Sequence, residues 1–194
     1  MNQIVKDNID SYTPKELEEI YNNIYLEKKK EIDNYQNEVR KKQSIIGQKL
    51  LMNTFQNYKD LVITKNKYGK PYIENNLFFN ISHSNNYVVL VTSNKEIGID
   101  IEKIRKQELK KTKFFSTKEE YEYITNSNNQ TESFWTIYTL KEAYFKMKGT
   151  DLNNIQKVSF KIDNEKITCS DKQVKAQIHN LIPGYIISTC EYIK

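Results

Sequence analysis

Between residues 77 and 102 the chain writes three short β-rich runs in succession, "LFFNISHS", "NYVVLVTS" and "EIGIDIE", divided by Asn, Ser and Lys turn residues. The last run alternates strictly: Ile97, Ile99 and Ile101 fall on one face of a strand, and Gly98, Asp100 and Glu102 fall on the other. Alternation of this kind demands a sheet, and the three runs predict adjacent strands. It also sets two carboxylates side by side, which repel and titrate as a pair unless something positive sits between them. A divalent cation answers that need, and Gly98, without a Cβ, lets a ligand or another backbone come close. A solvated polar face on an edge strand is the commoner meaning of a lone D-x-E, so the rest of the chain has to decide.

Elsewhere helices alternate with strands. A first strand is expected near Ile4 to Ile9, and Thr13, Pro14 and Glu16 then form a capping-box start. Leu17, Ile20, Tyr21 and Ile24 supply the stripe of that helix, and Ile45, Ile46, Leu50 and Leu51 mark a second. "NKYGKPYI" reads as a turn broken by Gly69 and Pro71, and Ser116 with Glu119 predicts another capped helix. The polar "TNSNNQTES" reads as a mobile loop, after which "FWTIYTLKEAYFKMKG" is a long helix stopped by Gly149. "VSFKI", "KITCS", "KAQIHNL" and "GYIISTC" close the chain as strands.

Composition narrows the class. A chain of 194 residues can bury a core without staples, and its two cysteines, Cys169 and Cys190, lack metal-ligand spacing, so both read as free, buried thiols in a reducing compartment. "MNQIVKDNID" has no basic patch and apolar core of a signal peptide, and Val88 to Val91 is far too short to span a bilayer, so a cytoplasmic location is expected. The net charge of +5 permits anionic partners: nucleic acid, phosphate-rich small molecules or acidic proteins. The 14 tyrosines mostly occupy apolar periodic positions instead of alternating with Lys and Arg, which ranks a nucleic-acid platform last.

In the long helix, Ile137, Leu140, Tyr144 and Met147 form a core stripe, while Glu142 and Lys146 share a neighbouring face at i and i+4. In isolation that pair is an ordinary surface salt bridge. "NISHS" offers Ser82, His83 and Ser84 at a strand end, hydroxyl and imidazole groups able to contact phosphate. No GxxxxGK[ST] or GxGxxG pattern is present, and no cysteine lies near a histidine in sequence for nucleophilic work.

The order "YGKP", "FNISHS", "GIDIE", "FFS", "LKEAYFK" resembles the 4′-phosphopantetheinyl transferases, in particular their surfactin-synthetase-type class, over nearly the whole chain from about Lys28. Roughly half the chain precedes "GIDIE", as in the single-chain, two-lobed form and unlike the shorter trimeric one. The resemblance implies an α+β fold of two pseudo-symmetric halves, 1–103 and 104–194, with coenzyme A in the cleft between them. It implies transfer of the phosphopantetheine arm of coenzyme A to a serine of an acyl- or peptidyl-carrier protein, with release of adenosine 3′,5′-bisphosphate. Asp100, Glu102 and Glu142 would bind Mg²⁺, or Mn²⁺, which accepts the same ligands. Glu142 is then the candidate base, Lys146 would stabilise the pyrophosphate and leaving group, and His83 with Ser82 would hold a phosphate. Gly69, Lys70 and Pro71 would line the adenine pocket, and Lys28 and Ser44 match positions for the 3′-phosphate end.

Two departures stand out. Tyr138 occupies the family's usual tryptophan position, with Trp135 one turn earlier, and Gln43 replaces the arginine before Ser44, leaving Arg40, Lys41 or Lys42 as substitutes. An acidic carrier helix would dock near "KKTKFFSTKEEYEYI", around Lys111, Lys113, Phe114 and Phe115, at least one of the phenylalanines being core. A single chain is expected to act as a monomer. A non-catalytic coenzyme A sensor or carrier-holding relative is the competing expectation, against which stand all three acidic positions and Lys146.

Overall fold

Thr13 starts the first helix as its sequence predicts: its hydroxyl accepts the Glu16 N–H, and the Glu16 carboxylate takes the Thr13 N–H at 2.8 Å. In the computed structural model, which describes residues 2–55, 63–73, 77–107, 109–151, 153–163 and 166–193, this helix is α1 (Pro14–Asn22). It is followed by α2 (Leu26–Asp33) and α3 (Glu38–Thr54). Strands β1 (Gln3–Asn8), β5 (Tyr87–Ser93) and β4 (Phe78–Ser84) form an antiparallel sheet in the order β1-β5-β4. Leu17, Ile46, Leu50 and Leu51 of the helices bury against Phe79, Val88 and Leu90 of the sheet. A short hairpin of β2 (Ile63–Lys65) and β3 (Pro71–Ile73) lies beside it.

The second group of elements repeats the scheme. β6 (Ile97–Lys103), β10 (Tyr185–Tyr192) and β9 (Val174–His179) form a sheet in the order β6-β10-β9. Against it pack α4 (Thr112–Phe115), α5 (Lys118–Thr125), α6 (Gln130–Lys148) and the hairpin of β7 (Phe160–Asp163) with β8 (Lys166–Cys169). The architecture is α+β, with a three-stranded antiparallel sheet in each half. Among the described residues no helix is long and apolar enough to cross a membrane. Cys169 and Cys190 are both free and buried.

Three expectations need correcting, and a fourth widens. The three β-rich runs do not form one sheet: β4 pairs with β5, but β6 pairs with β10, so the strand bearing both carboxylates belongs by backbone pairing with the C-terminal elements. α5 is capped by Thr117 and Glu120 instead of Ser116 and Glu119: the Thr117 hydroxyl accepts the Glu120 N–H and the Glu120 carboxylate takes the Thr117 N–H at 2.7 Å, while Ser116 is the C-cap of α4, its hydroxyl donating to the Thr112 carbonyl at 2.7 Å. Most of "TNSNNQTES" is ordered helix, since Asn129 caps α6 and its carboxamide accepts the Glu132 N–H. Finally, the burial of α6 extends well beyond the expected stripe, of which Ile137, Leu140 and Met147 are buried. Phe134, Trp135, Ile137, Leu140, Lys141, Ala143, Phe145 and Met147 are all buried, so it runs through the middle of the second half and ends in a left-handed Gly149.

Candidate active site

The apolar face of β6 seals the two sheets together. Ile97, Ile99 and Ile101 bury with Val89 and Val91 of β5 and Ile187 of β10. The opposite face looks at α6, and Gly98 explains how closely: a Cβ there would lie 2.1 Å from the Ala143 carbonyl oxygen and 2.4 Å from the Met147 nitrogen. Backbone approach is thus what Gly98 permits. Two residues on, Asp100 is 3% exposed and meets the side chain of Lys146, Nζ to Oδ1 at 2.5 Å. Ser82 joins the same cluster, its hydroxyl donating to Asp100 Oδ1 at 2.9 Å and accepting from Lys146 Nζ at 2.9 Å. Ser84 donates to Glu102 Oε2 at 2.8 Å.

Glu142 lies one turn before Lys146 on α6, and the electrostatics tie it to the strand. Burial, followed by the Asp100 charge, pushes its carboxyl above the usual carboxylate range, against the opposing pull of Lys146 and of the Tyr138 hydroxyl beside it. Glu102 is also raised, by burial first, with Ser84's hydrogen bond opposing and Asp100 adding to the rise. Tyr138 is raised by burial and by Glu142, and so stays protonated. Its ring is held edge-on to Phe115 at 5.4 Å and to Trp135 at 5.7 Å. The hydroxyl that a tryptophan would lack therefore faces the carboxylates.

The donor set suits a hard divalent cation, which takes carboxylate oxygens, and Asp100 Oδ2 is buried without any hydrogen-bond partner. Among the described residues no group of three or more His, Cys, Asp and Glu side chains is arranged to hold a metal ion, Lys146 being the positive charge that Asp100 meets.

On the other side of β4, His83 opens into a cavity of about 150 Å³ shared with Lys28, Arg40, Ser44, Lys65 and Pro71. Its cations are partly tied down: Glu31 binds Lys28 at 2.7 Å and Lys65 at 2.8 Å. Burial alone would raise Glu31, yet hydrogen bonds from Lys28, Lys65 and Tyr35 bring it down to about 2. Burial lowers Lys28, and burial with the charges of Arg40 and Lys146 lowers His83 to about 4, so the imidazole is neutral near pH 7. Gln43 also lines the cavity, donating to the Asn85 carbonyl at 2.8 Å, and Arg40 lies one turn earlier on α3.

Of the residues singled out in sequence, Lys28, Ser44, Pro71 and His83 thus share one cavity, while Ser82, Asp100, Glu102, Glu142 and Lys146 cluster on the α6 side. Alternation along β4 turns Ser82 and His83 to opposite faces, and the Ser82 hydroxyl donates to Asp100. The Lys70 ammonium binds the Met147 carbonyl at 2.5 Å, where the carbonyls of a helix C-terminus attract a cation, and a Cβ built on Gly69 would meet nothing within 4 Å. Lys65 is not marked as a site residue by its sequence context. Ser84, offered by "NISHS" as a phosphate contact, shares the Ser82 face and bonds to Glu102.

Known proteins are similar to this chain along most of its length. Residues 96–190 match the family model of the 4′-phosphopantetheinyl transferase superfamily, and residues 11–95 match that of the 4′-phosphopantetheinyl transferase N-terminal region. The two matches abut immediately before β6. The chain belongs to the 4′-phosphopantetheinyl transferase superfamily. It is 37% identical over 139 residues to the 4′-phosphopantetheinyl transferase gsp of Aneurinibacillus migulanus, covering 68% of this chain and 58% of that protein. To the 4′-phosphopantetheinyl transferase Sfp of Bacillus subtilis it is 28% identical over 141 residues, 68% of this chain and 63% of that one. The matches thus span about three fifths of the length of these transferase relatives. A crystal structure of the Thermotoga maritima holo-[acyl-carrier-protein] synthase superposes at a TM-score of 0.45 and 20% identity over 51% of this chain and 63% of that one.

Proposed function

We propose that this chain transfers the 4′-phosphopantetheine arm of coenzyme A to a serine of an apo acyl- or peptidyl-carrier protein. The observation that carries the reading is the meeting of two carboxylates from β6 with Glu142 and Lys146 from α6, one strand away from a cavity bearing Lys28, Arg40, Lys65 and His83. The basic cavity takes the 3′-phosphate end of coenzyme A, and Lys146 faces the pyrophosphate. Asp100, Glu102 and Glu142 would hold Mg²⁺, whose charge offsets that of the diphosphate as the anhydride breaks. Glu142, with its raised carboxyl pKa, accepts the proton of the carrier serine as that oxygen bonds to phosphorus. Lys146 stays with the departing adenosine 3′,5′-bisphosphate.

For the carrier, Phe114 is 78% exposed while Phe115 is buried, and the exposed Lys111 and Lys113 precede it in sequence. An apolar anchor among cations suits an acidic carrier helix. The division into halves is best set before β6, at the junction of the two family matches. We also place the protein in the cytoplasm, acting as a single chain.

The test incubates the protein with coenzyme A, Mg²⁺ and apo-carriers of several classes, then weighs the carriers by mass spectrometry. A phosphopantetheine adduct on one of them supports the reading; its absence from all of them ends it.

A further inference from the structure

β4 and β6 are not joined by a backbone ladder. Alternate side chains of β4 reach the edge of β6 in their place: Asn80 Oδ1 accepts the Ile99 N–H at 2.9 Å, Ser82 Oγ the Ile101 N–H at 3.4 Å, and Ser84 Oγ the Lys103 N–H at 3.1 Å. Both strands repeat every two residues, so each β4 side chain also passes the residue one before its N–H donor. Those residues are Gly98, Asp100 and Glu102.

A serine hydroxyl has one hydrogen. In Ser84 the oxygen already accepts the Lys103 N–H, and its hydrogen goes to Glu102 Oε2 at 2.8 Å, so a backbone group on β6 fixes the direction in which that hydrogen points. Ser84 is buried and has no exposed alternative. Glu102 has three rotatable side-chain bonds and is half-buried, so its carboxylate needs a partner to fix its direction. At Gly98 the same repeat has no side chain for Asn80 to meet, because α6 backbone fills the place.

We propose that Ser84 is a positioning residue, whose hydroxyl aims the Glu102 carboxylate so that it and Asp100 present their oxygens to one cation. This rests on the metal-dependent reading above. Ser84 touches neither the cation nor the substrate; it acts through Glu102.

Asn80 supplies the control. Asn80→Ala and Ser84→Ala each remove one seam bond to β6, but only the second strips a carboxylate of its donor. Mn²⁺ binding to the purified protein, followed by loss of the free-ion EPR signal, reads the effect without turnover. Ser84→Ala is expected to weaken Mn²⁺ binding by about tenfold or more, the usual consequence of losing an outer partner of a metal ligand. Asn80→Ala should bind like the parent, Ser84→Thr should recover binding, and in the transfer assay Ser84→Ala should lower kcat with the KM for coenzyme A unchanged. Parent-like Mn²⁺ binding by Ser84→Ala overturns the inference, as does equal weakening in Ser84→Ala and Asn80→Ala, which would make the serine a seam bond only. If Asn80→Ala does not fold, the comparison of Ser84→Ala with Ser84→Thr decides alone. A parent protein that takes up no Mn²⁺ would instead bring down the metal reading and the inference together.

Discussion

Lys146 and Asp100 come from different elements, α6 and β6, and meet at 2.5 Å with Asp100 almost wholly buried and the lysine side chain 30% exposed. The contact ties the central helix to the carboxylate strand. Lys146→Met leaves a buried carboxylate without its cation, at a cost of about 1–3 kcal/mol, below that of a fully buried pair because water reaches the lysine. Urea unfolding measures this. Transfer should fall at least about a hundredfold, the scale of losing one charge-stabilising donor, and a variant with parental transfer rates would remove Lys146 from the mechanism.

Gly98→Ala tests how tightly α6 lies on β6. The added carbon would sit 2.1 Å from one backbone atom and 2.4 Å from another, and neither belongs to a side chain that can turn aside. A loss of at least about 3 kcal/mol is expected, at or above the upper end for overpacking. Unfolding within 1 kcal/mol of the parent, as an order of magnitude, would mean the helix stands farther off.

Neighbours on α6 should behave oppositely. Lys141 is fully buried, binding Glu120 at 2.8 Å and the carbonyls of Ile155 and Val158. Glu120 in turn accepts the Phe160 N–H at 2.8 Å. Lys141→Met strands that carboxylate and should cost about 3–5 kcal/mol. Glu142→Gln removes a carboxyl whose ionised form burial disfavours, so stability near pH 7 should hold or rise while transfer is lost. Calorimetric melting of both variants, alongside the carrier assay, separates the two roles.

Much of this was legible where local chemistry decides. The alternation at 97–102 set which side chains are core and which face the site, and the Thr13 capping box and Gly149 stop follow from their own residues. What escaped was settled by distant partners. β6 pairs with β10, far along the chain, and no local pattern distinguishes that partner from β5. Lys141 looks like any surface lysine until Glu120 is brought to it, and Ser116 proves to be the C-cap of the short α4, which leaves Thr117 to start α5. Lys70 finds its partner, the Met147 carbonyl at the end of α6, only in three dimensions.

Phe114 offers a test on the carrier side. Because the ring is 78% exposed, Phe114→Ala should change stability by less than about 0.5 kcal/mol. If the carrier docks there, its KM should rise with the KM for coenzyme A unchanged. An unaltered carrier KM would place docking elsewhere.

His83 governs the response to mild acid. Burial, with Arg40 and Lys146 nearby, depresses its pKa from 6.5 to about 4, so the unfolded chain binds a proton that the folded one refuses. Stability therefore rises with pH across this window: the contribution is fully present above 6.5 and is lost as the pH falls toward 4, on the order of 3 kcal/mol in all. His179, lowered by burial, acts in the same sense. Glu31 also does so, but only between 4.5 and about 2. Glu102 and Glu142 oppose them, since a raised carboxyl stabilises in acid and loses that contribution as the pH rises through 4.5 and beyond. Subtraction isolates the histidine: urea midpoints of the parent and of His83→Gln, followed from pH 7 to pH 4.5, should diverge, the variant losing less. Parallel curves would mean that His83 titrates as it does in water and that the cavity beside it is wetter than its lining implies.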